Sequence, residues 1–129
     1  MHTLPDTLCY LNGEYGPLRE AKVSVLDRGF VFGDGVYEVV PVYGARLFRF
    51  DEHMARLDRS LAKLRIANPH RREEWLERCR KLLAALTAKN GASDQLVYIQ
   101  ITRGVATGVI QNLEIIQVNK QQCTFVLMP

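Results

Sequence analysis

The residues best suited to form a functional site lie within 26–40, a stretch that reads LDRGFVFGDGVYEVV. Three of the nine glycines fall within seven consecutive residues there, at Gly29, Gly33 and Gly35. Glycine adopts positive φ and lets other groups approach the backbone closely, so this cluster predicts a tight turn. The β-branched and aromatic run that follows predicts a buried strand, which carries one polar aromatic residue, Tyr37. A glycine turn that leads into such a strand is typical of a functional site.

The same pattern has a plainer interpretation, in which Gly-Asp-Gly is only a structural turn. In that case the flanking rings of Phe30 and Phe32 pack beneath it, and we expect them to hold this backbone in place. The pattern is not a dinucleotide fingerprint, because Gly33 and Gly35 precede a strand pattern rather than a helix. It is not a P-loop either, since neither Gly-Lys-Ser nor Gly-Lys-Thr follows it.

The pattern around each candidate side chain also allows a structural role. Arg56 falls in a helical segment, where about 100° per residue turns it roughly 120° away from the apolar side, as in a surface arginine. Tyr37 on a valine-rich strand is typical of a core residue whose hydroxyl bonds to backbone. Val39 shares the face of Tyr37, whereas Glu38 points to the opposite face and is expected to be structural. His53 is expected to make a local bond near the helix N-terminus.

A longer motif makes a family resemblance visible. The run 23–39, followed by Leu47-Phe48 and by EHMARL at 52–57, resembles the fold-type IV pyridoxal-phosphate enzymes. That family includes D-amino acid aminotransferases, branched-chain aminotransferases and aminodeoxychorismate lyase. The resemblance extends from about residue 10 to residue 104. The segment GDGVYEV is more similar to the D-amino acid branch, because the branched-chain enzymes tend to have Phe and Gly where Tyr37 and Val39 stand.

The resemblance implies roles for three side chains. Arg56, in the His-x-x-Arg-Leu motif, would bind the phosphate of pyridoxal 5'-phosphate. A guanidinium suits that role because its planar fork donates two hydrogen bonds to phosphate oxygens and keeps its charge. Tyr37 would lie at the floor of the active site and contact the substrate carboxylate, and Val39 would line the same pocket. The imine-forming lysine of the family belongs to a second domain, so no catalytic residue is assigned to this chain.

The resemblance also implies an overall function. We expect residues 1–129 to form a single α+β domain, the N-terminal half of a two-domain aminotransferase without the catalytic-lysine domain. The complete enzyme would move an amino group from an amino acid, a D-amino acid in the branch named above, to a 2-oxo acid. It would act as a homodimer with pyridoxal 5'-phosphate as cofactor. The 129-residue chain by itself would be inactive.

Two alternatives stay open at this point. The chain could be a free-standing, non-catalytic domain that binds a phosphate ligand or dimerises, or it could belong to a lyase of the same family.

One segment also departs from the family pattern. D-amino acid aminotransferases usually carry Pro-Arg-x-His after the Thr-Arg-Gly at 102–104, whereas this chain has Thr-Gly-Val-Ile at 107–110. This difference places the D-amino acid specificity in question.

The elements that must position these residues follow from periodicity and turn signals. They predict an antiparallel sheet with two helices packed on it. The first helix is expected to be capped by Asp51 and the second to bury Trp75. The Asn12-Gly13 pair predicts a hairpin. The predicted strands are 8–11 and 14–15 in that hairpin, a brief strand at 22–25, then 36–43, 46–50, 95–103 and 124–128; the predicted helices are 51–66 and 72–89.

Composition excludes several classes of protein. A hydrophobic content of 47%, a charged content of 24% and a net charge of +3 fit an ordinary globular domain rather than a nucleic-acid-binding protein. The three cysteines and three histidines are scattered, so neither a disulfide framework nor a metal site is expected. No apolar run is long enough to cross a membrane. The absence of a signal-peptide pattern and the unpaired cysteines predict a cytoplasmic protein.

Overall fold

The computed structural model describes residues 7–91, 94–105 and 113–120. Within this part of the chain, six strands form one sheet in the order β2-β1-β6-β5-β3-β4, and every neighbouring pair is antiparallel. The fold is α+β, as predicted. The strands are β1 (Leu8–Leu11), β2 (Glu14–Pro17), β3 (Gly35–Tyr43), β4 (Arg46–Leu47), β5 (Gln95–Thr102) and β6 (Leu113–Lys120). The helices are α1 (Arg28–Phe32), α2 (Phe50–Leu64) and α3 (Arg72–Asn90), with a 3-10 turn at Leu18–Glu20.

The first hairpin confirms the turn prediction. Asn12 and Gly13 both have positive φ, at 49° and 91°, which is the backbone that a two-residue turn between β1 and β2 requires. Asparagine tolerates that conformation and glycine adopts it without steric cost. The hairpin lies at one edge of the sheet and buries Tyr10 against the helices.

The core lies between one face of the sheet and the helices α2 and α3. Strands β3 and β5 alternate as the sequence predicts, since Val40, Val97 and Ile99 are wholly buried. Each helix contributes the apolar side that its three- and four-residue spacing indicates. All but one of the predicted inner residues of the two helices are buried, and the exception is Leu64. The buried ones are Met54, Leu57 and Leu61 in α2, and Trp75, Cys79, Leu82, Leu83 and Leu86 in α3.

The exception and the cap prediction concern the two ends of α2. Leu64 lies at the surface because the helix ends there and Arg65 takes a left-handed conformation, φ 55°, which sends Ile66 into the core instead. Asp51 does not cap the helix, so that prediction is wrong. The helix begins at Phe50 after Arg49, whose φ is 52°, and the Asp51 carboxylate pairs with an arginine of α3.

Two strand predictions need correction, and a third concerns residues outside the described part of the chain. The brief strand at 22–25 is absent, because this segment pairs with no described strand and enters a turn in which the Asp27 amide bonds the Ser24 carbonyl at 3.0 Å. The strand expected at 46–50 is limited to Arg46–Leu47, since α2 already begins at Phe50. The strand expected at 124–128 lies outside the described residues.

Candidate functional site

The glycine stretch forms a short helix rather than a simple turn. α1 begins after Asp27, whose carboxylate accepts a hydrogen bond from the Gly29 amide at 2.8 Å, and Gly33 ends it with φ 67°. The glycines are needed where backbone and strand approach closely. A Cβ at Gly29 would lie closer than 3.0 Å to the side chain of Thr102, and one at Gly35 would lie 2.7 Å from the Ile101 carbonyl oxygen. The close approach predicted from the glycine cluster is therefore confirmed.

A buried hydrogen-bond network attaches α1 to the end of β5. The Thr102 hydroxyl donates to Asp27 at 3.0 Å, and its oxygen accepts from the Gly104 amide at 3.1 Å. Asp27 is buried, and the hydrogen bonds from the Thr102 hydroxyl and the Gly29 amide satisfy its carboxylate as burial requires. The stretch that leads into β3 is thereby held on the sheet.

A second network lies at the start of β3, around Asp34. Its carboxylate accepts from Arg28 Nε at 3.0 Å and from Arg103 Nε at 2.7 Å. Both hydrogen bonds lower the pKa of Asp34, and the bond from Arg103 has the larger effect. Arg103 also donates to the Leu64 carbonyl oxygen at 2.5 Å, which is one of the unpaired carbonyls at the end of α2. Arg103 thus joins the glycine stretch to α2.

Arg56 reaches β3 from α2 and forms a two-pronged ion pair with Glu38. Arg56 Nε lies 2.7 Å from Glu38 Oε1, and Arg56 Nη2 lies 2.8 Å from Glu38 Oε2. His53 Nδ1 lies 2.9 Å from the same Oε2. Burial of Glu38 raises the pKa of its carboxyl, but the hydrogen bonds from Arg56 and His53 outweigh it, so the pKa is lowered. Glu38 is only 3% exposed, whereas the Arg56 side chain is 59% exposed.

The Glu38–Arg56 pair was not predicted from the sequence, although one signal pointed to it. Glu38 occupies a core-facing position of a strand whose neighbouring core positions are valines. A carboxylate at such a position is strongly disfavoured unless a cationic partner meets it. The alternation of β3 therefore implied a partner for Glu38, but it did not say which basic residue would supply it.

The chemistry of Arg56 suits a phosphate. A guanidinium has five N–H donors, and the two bonds to Glu38 leave Nη1 and one edge of the group for another anion. The exposure of Arg56 gives an anion access to that edge, and its planar fork matches phosphate oxygens. The residues present therefore fit the phosphate of pyridoxal 5'-phosphate.

Tyr37 and Val39 lie on the face of the sheet opposite to α2 and α3, on one side of β3 as predicted. Tyr37 is 66% exposed, so the interpretation of it as a core residue is wrong. Its ring stacks on Tyr98, with centroids 6.0 Å apart and planes 17° apart. Val39 is paired with Tyr98 in the ladder and is half-buried. Tyr98 in turn donates to Gln100 at 2.8 Å, so an aromatic and amide surface surrounds Tyr37.

The structure places the three predicted site residues around the first half of β3. Arg56 contacts the strand on the helix-covered face, and Tyr37 and Val39 extend from the other. The segment 107–110, where the sequence departs from the family, lies outside the described residues.

Large apolar side chains at and before α1 are exposed. Phe30 is 75% and Phe32 70% exposed, and Val25 and Leu26 are exposed beside them. The expectation that the two phenylalanines pack beneath the glycine turn is wrong, because α1 directs them away from the sheet. We call these four residues the α1 surface. Exposed apolar patches are typical of surfaces that contact another protein or a ligand.

Comparisons with known proteins identify relatives in sequence. A model of the family described as amino-transferase class IV matches residues 35–124. A D-alanine aminotransferase from Staphylococcus haemolyticus is 42% identical over 100 residues, which are 78% of this chain and 34% of that protein. One from Listeria monocytogenes serotype 1/2a (strain 10403S) is 45% identical over 86 residues, which are 67% of this chain and 28% of that protein. The chain thus spans about a third of the length of such relatives.

Solved structures share the fold. A fold IV-transaminase from Curtobacterium pusillum superposes with a TM-score of 0.78 at 24% identity, over 84% of this chain and 37% of that one. A branched-chain amino acid aminotransferase from Escherichia coli gives a TM-score of 0.78 at 24% identity, over 91% of this chain and 42% of that one.

No helix among the described residues is long and apolar enough to cross a membrane. The same part of the chain holds no group of acidic, histidine or cysteine side chains that could bind a metal ion.

Proposed function

The chain belongs to the amino-transferase class IV family, and on that premise we propose that it forms part of a pyridoxal-phosphate-dependent aminotransferase. Residues 1–129 would be one domain, the N-terminal part of a longer two-domain enzyme. The observation that supports this role best is the exposed outer edge of Arg56, held in place on its inner edge by Glu38. When bound, pyridoxal 5'-phosphate supplies the electron sink on which transfer of an amino group depends.

Each predicted residue would act through chemistry that it carries itself. Arg56 would hold the cofactor phosphate by charge-assisted hydrogen bonds. The Tyr37 hydroxyl would donate to the carboxylate of an amino acid, and Val39 would limit the space for its side chain. The two relatives described above are D-alanine aminotransferases, so a small D-amino acid and a 2-oxo acid are the proposed substrates. Because Cys9 and Cys79 are free thiols, a reducing compartment such as the cytoplasm is the proposed location.

The role of Arg56 can be tested in the 129-residue chain by binding of pyridoxine 5'-phosphate, which lacks the aldehyde and so cannot form imines with lysines. We expect Arg56→Ala to weaken binding by about ten- to hundredfold, the range of a lost hydrogen bond to a charged group. Titration followed by NMR measures the dissociation constant. Arg59→Ala, on an exposed position of the same helix, is the matched control and should bind as the parent does. Unchanged binding in Arg56→Ala would contradict the proposed function.

A second candidate function, assembly with another copy of the chain, is favoured by the α1 surface. Phe30 and Phe32 are too exposed to contribute to the core, and a homodimer would remove such apolar area from water. We expect the chain to dimerise and Phe30→Ser to make it monomeric, as measured by light scattering after size exclusion. Phe48→Ser, a half-exposed ring that packs on Tyr43 away from α1, is the control. A parent chain that stays monomeric at every concentration would exclude this function.

A further inference from the structure

Glu38 is, with Asp27, one of two buried carboxylates among the described residues. Its carboxylate lies on the core face of β3, where burial is costly unless both oxygens are paired. All the described partners come from α2: Arg56 meets both oxygens, and His53, one turn earlier, meets one of them. The carboxylate therefore joins the middle of β3 to two consecutive turns of α2.

We propose that Glu38 is a positioning residue that orients the guanidinium of Arg56 for the phosphate of a bound ligand. An arginine side chain has many rotamers, and ordering it at the moment of binding costs affinity. The bonds from Nε and Nη2 to Glu38 fix the plane of the guanidinium beforehand and leave Nη1 directed away from the carboxylate. His53 holds Oε2 from a second direction. This inference rests on the proposed function of Arg56.

A competing effect of Glu38 has the opposite sign. Its negative charge lowers the positive potential around Arg56 and so weakens the attraction for a phosphate. The exposure of Arg56 decides between the two, because water and salt screen the charge of Glu38 at an exposed guanidinium. Orientation is not screened in this way. We therefore expect the ordered side chain to matter more than the reduced charge.

A double-mutant cycle in the 129-residue chain tests this inference. Pyridoxine 5'-phosphate is titrated into the parent, Glu38→Gln, Arg56→Ala and the double variant. Glu38→Gln keeps the length of the side chain and removes its charge, and it should weaken binding about tenfold, as loss of a supporting partner typically does. In the Arg56→Ala background the same change should have no further effect. In the ligand-free chain, NMR relaxation of the Arg56 Nε–H group should show that the side chain is more mobile in Glu38→Gln than in the parent.

Two further variants control for charge and for folding. Glu74→Gln removes a carboxylate of α3 that pairs with Arg71, the residue before the helix, so it matches the change in net charge and should leave binding unaltered. If circular dichroism shows that Glu38→Gln does not fold, Glu38→Asp replaces it. Aspartate keeps the charge but is too short to reach Nε and Nη2 together, so the same loss is expected. His53→Ala should weaken binding less, by about threefold.

The outcomes separate the inference from the function on which it rests. Binding by Glu38→Gln that is equal to or tighter than the parent's overturns the positioning role. So does an equal loss in the presence and absence of Arg56, because that would be a general effect on the fold. If Arg56→Ala binds normally, the proposed function itself fails. If Arg56→Ala binds weakly and Glu38→Gln binds normally, only the positioning role fails.

Discussion

The helix-covered face of the sheet and the α1 surface differ in how far their large apolar side chains are buried. On the first, Trp75 is 1% exposed and belongs to a buried cluster that also includes residues of α2, β3 and β5. On the second, the rings of Phe30 and Phe32 are mostly exposed. The described residues therefore complete the first region, whereas in the second the Arg28 guanidinium, 5.1 Å from the centre of the Phe32 ring, leaves both phenylalanine rings mostly exposed. Stability should depend on the core, and assembly or ligand binding on the other region.

The largest expected effect is on the stability of the core. Trp75→Ala removes a buried ring that also donates to Asn68 Oδ1 at 2.9 Å, and it should lower the free energy of unfolding by about 4 kcal/mol. At protein concentrations low enough to keep the chain monomeric, Phe30→Ala should change it by less than about 0.5 kcal/mol. Urea denaturation measures both values. A loss for Phe30→Ala that approaches the Trp75→Ala value would mean that the α1 surface is covered within the monomer itself.

The next effect concerns the junction between the two regions, where α1 touches β5. Gly29→Ala would force a Cβ against the side chain of Thr102, and we expect a loss of about 1–3 kcal/mol from overpacking. Gly16→Ala is the matched control, because no atom lies within 4 Å of a Cβ built there. Thermal unfolding of the two variants gives the difference. Equal stability would mean that α1 can move away from the sheet without cost.

The smallest effect is a dependence of stability on acid pH, to which Asp34 beside α1 and Glu38 on the helix-covered face both contribute. The pKa values of Asp34 and Glu38 are lowered in the folded chain, so their stabilisation is present above the unfolded values of about 3.9 and about 4.3. It is lost as pH falls through the lower folded values. Urea midpoints should therefore fall below about pH 4. Asp34→Asn should remove the contribution near α1, and Glu38→Gln that of the helix-covered face.

The parts of the fold that could be predicted depend on local pattern. The Asn12-Gly13 turn, the alternation of β3 and β5, and the apolar sides of α2 and α3 follow from chemistry within a few neighbouring residues. Predictions about ends were weaker. The expected cap at Asp51 failed because Arg49 takes a left-handed backbone, and nothing in its residue type announces this conformation.

The candidate site was predictable only in part. The family motif singled out Arg56, Tyr37 and Val39, and the alternation of β3 correctly placed the last two on one side of the strand. The exposure of Tyr37 was not foreseeable from a valine-rich strand, because the pattern of a strand does not say which of its two faces the helices will cover.

Sequence alone determined the family of this protein and the types of its main elements, and it singled out Arg56 as the proposed phosphate-binding residue. These conclusions rest on motifs and on side-chain periodicity, which are properties of short stretches. Tertiary structure alone decided that Glu38 meets Arg56, 18 positions away, and that Asp27 meets Thr102, 75 positions away. Such pairs form only after α2 packs across β3 and α1 docks on β5, because packing, not chain proximity, brings the buried charges to their partners.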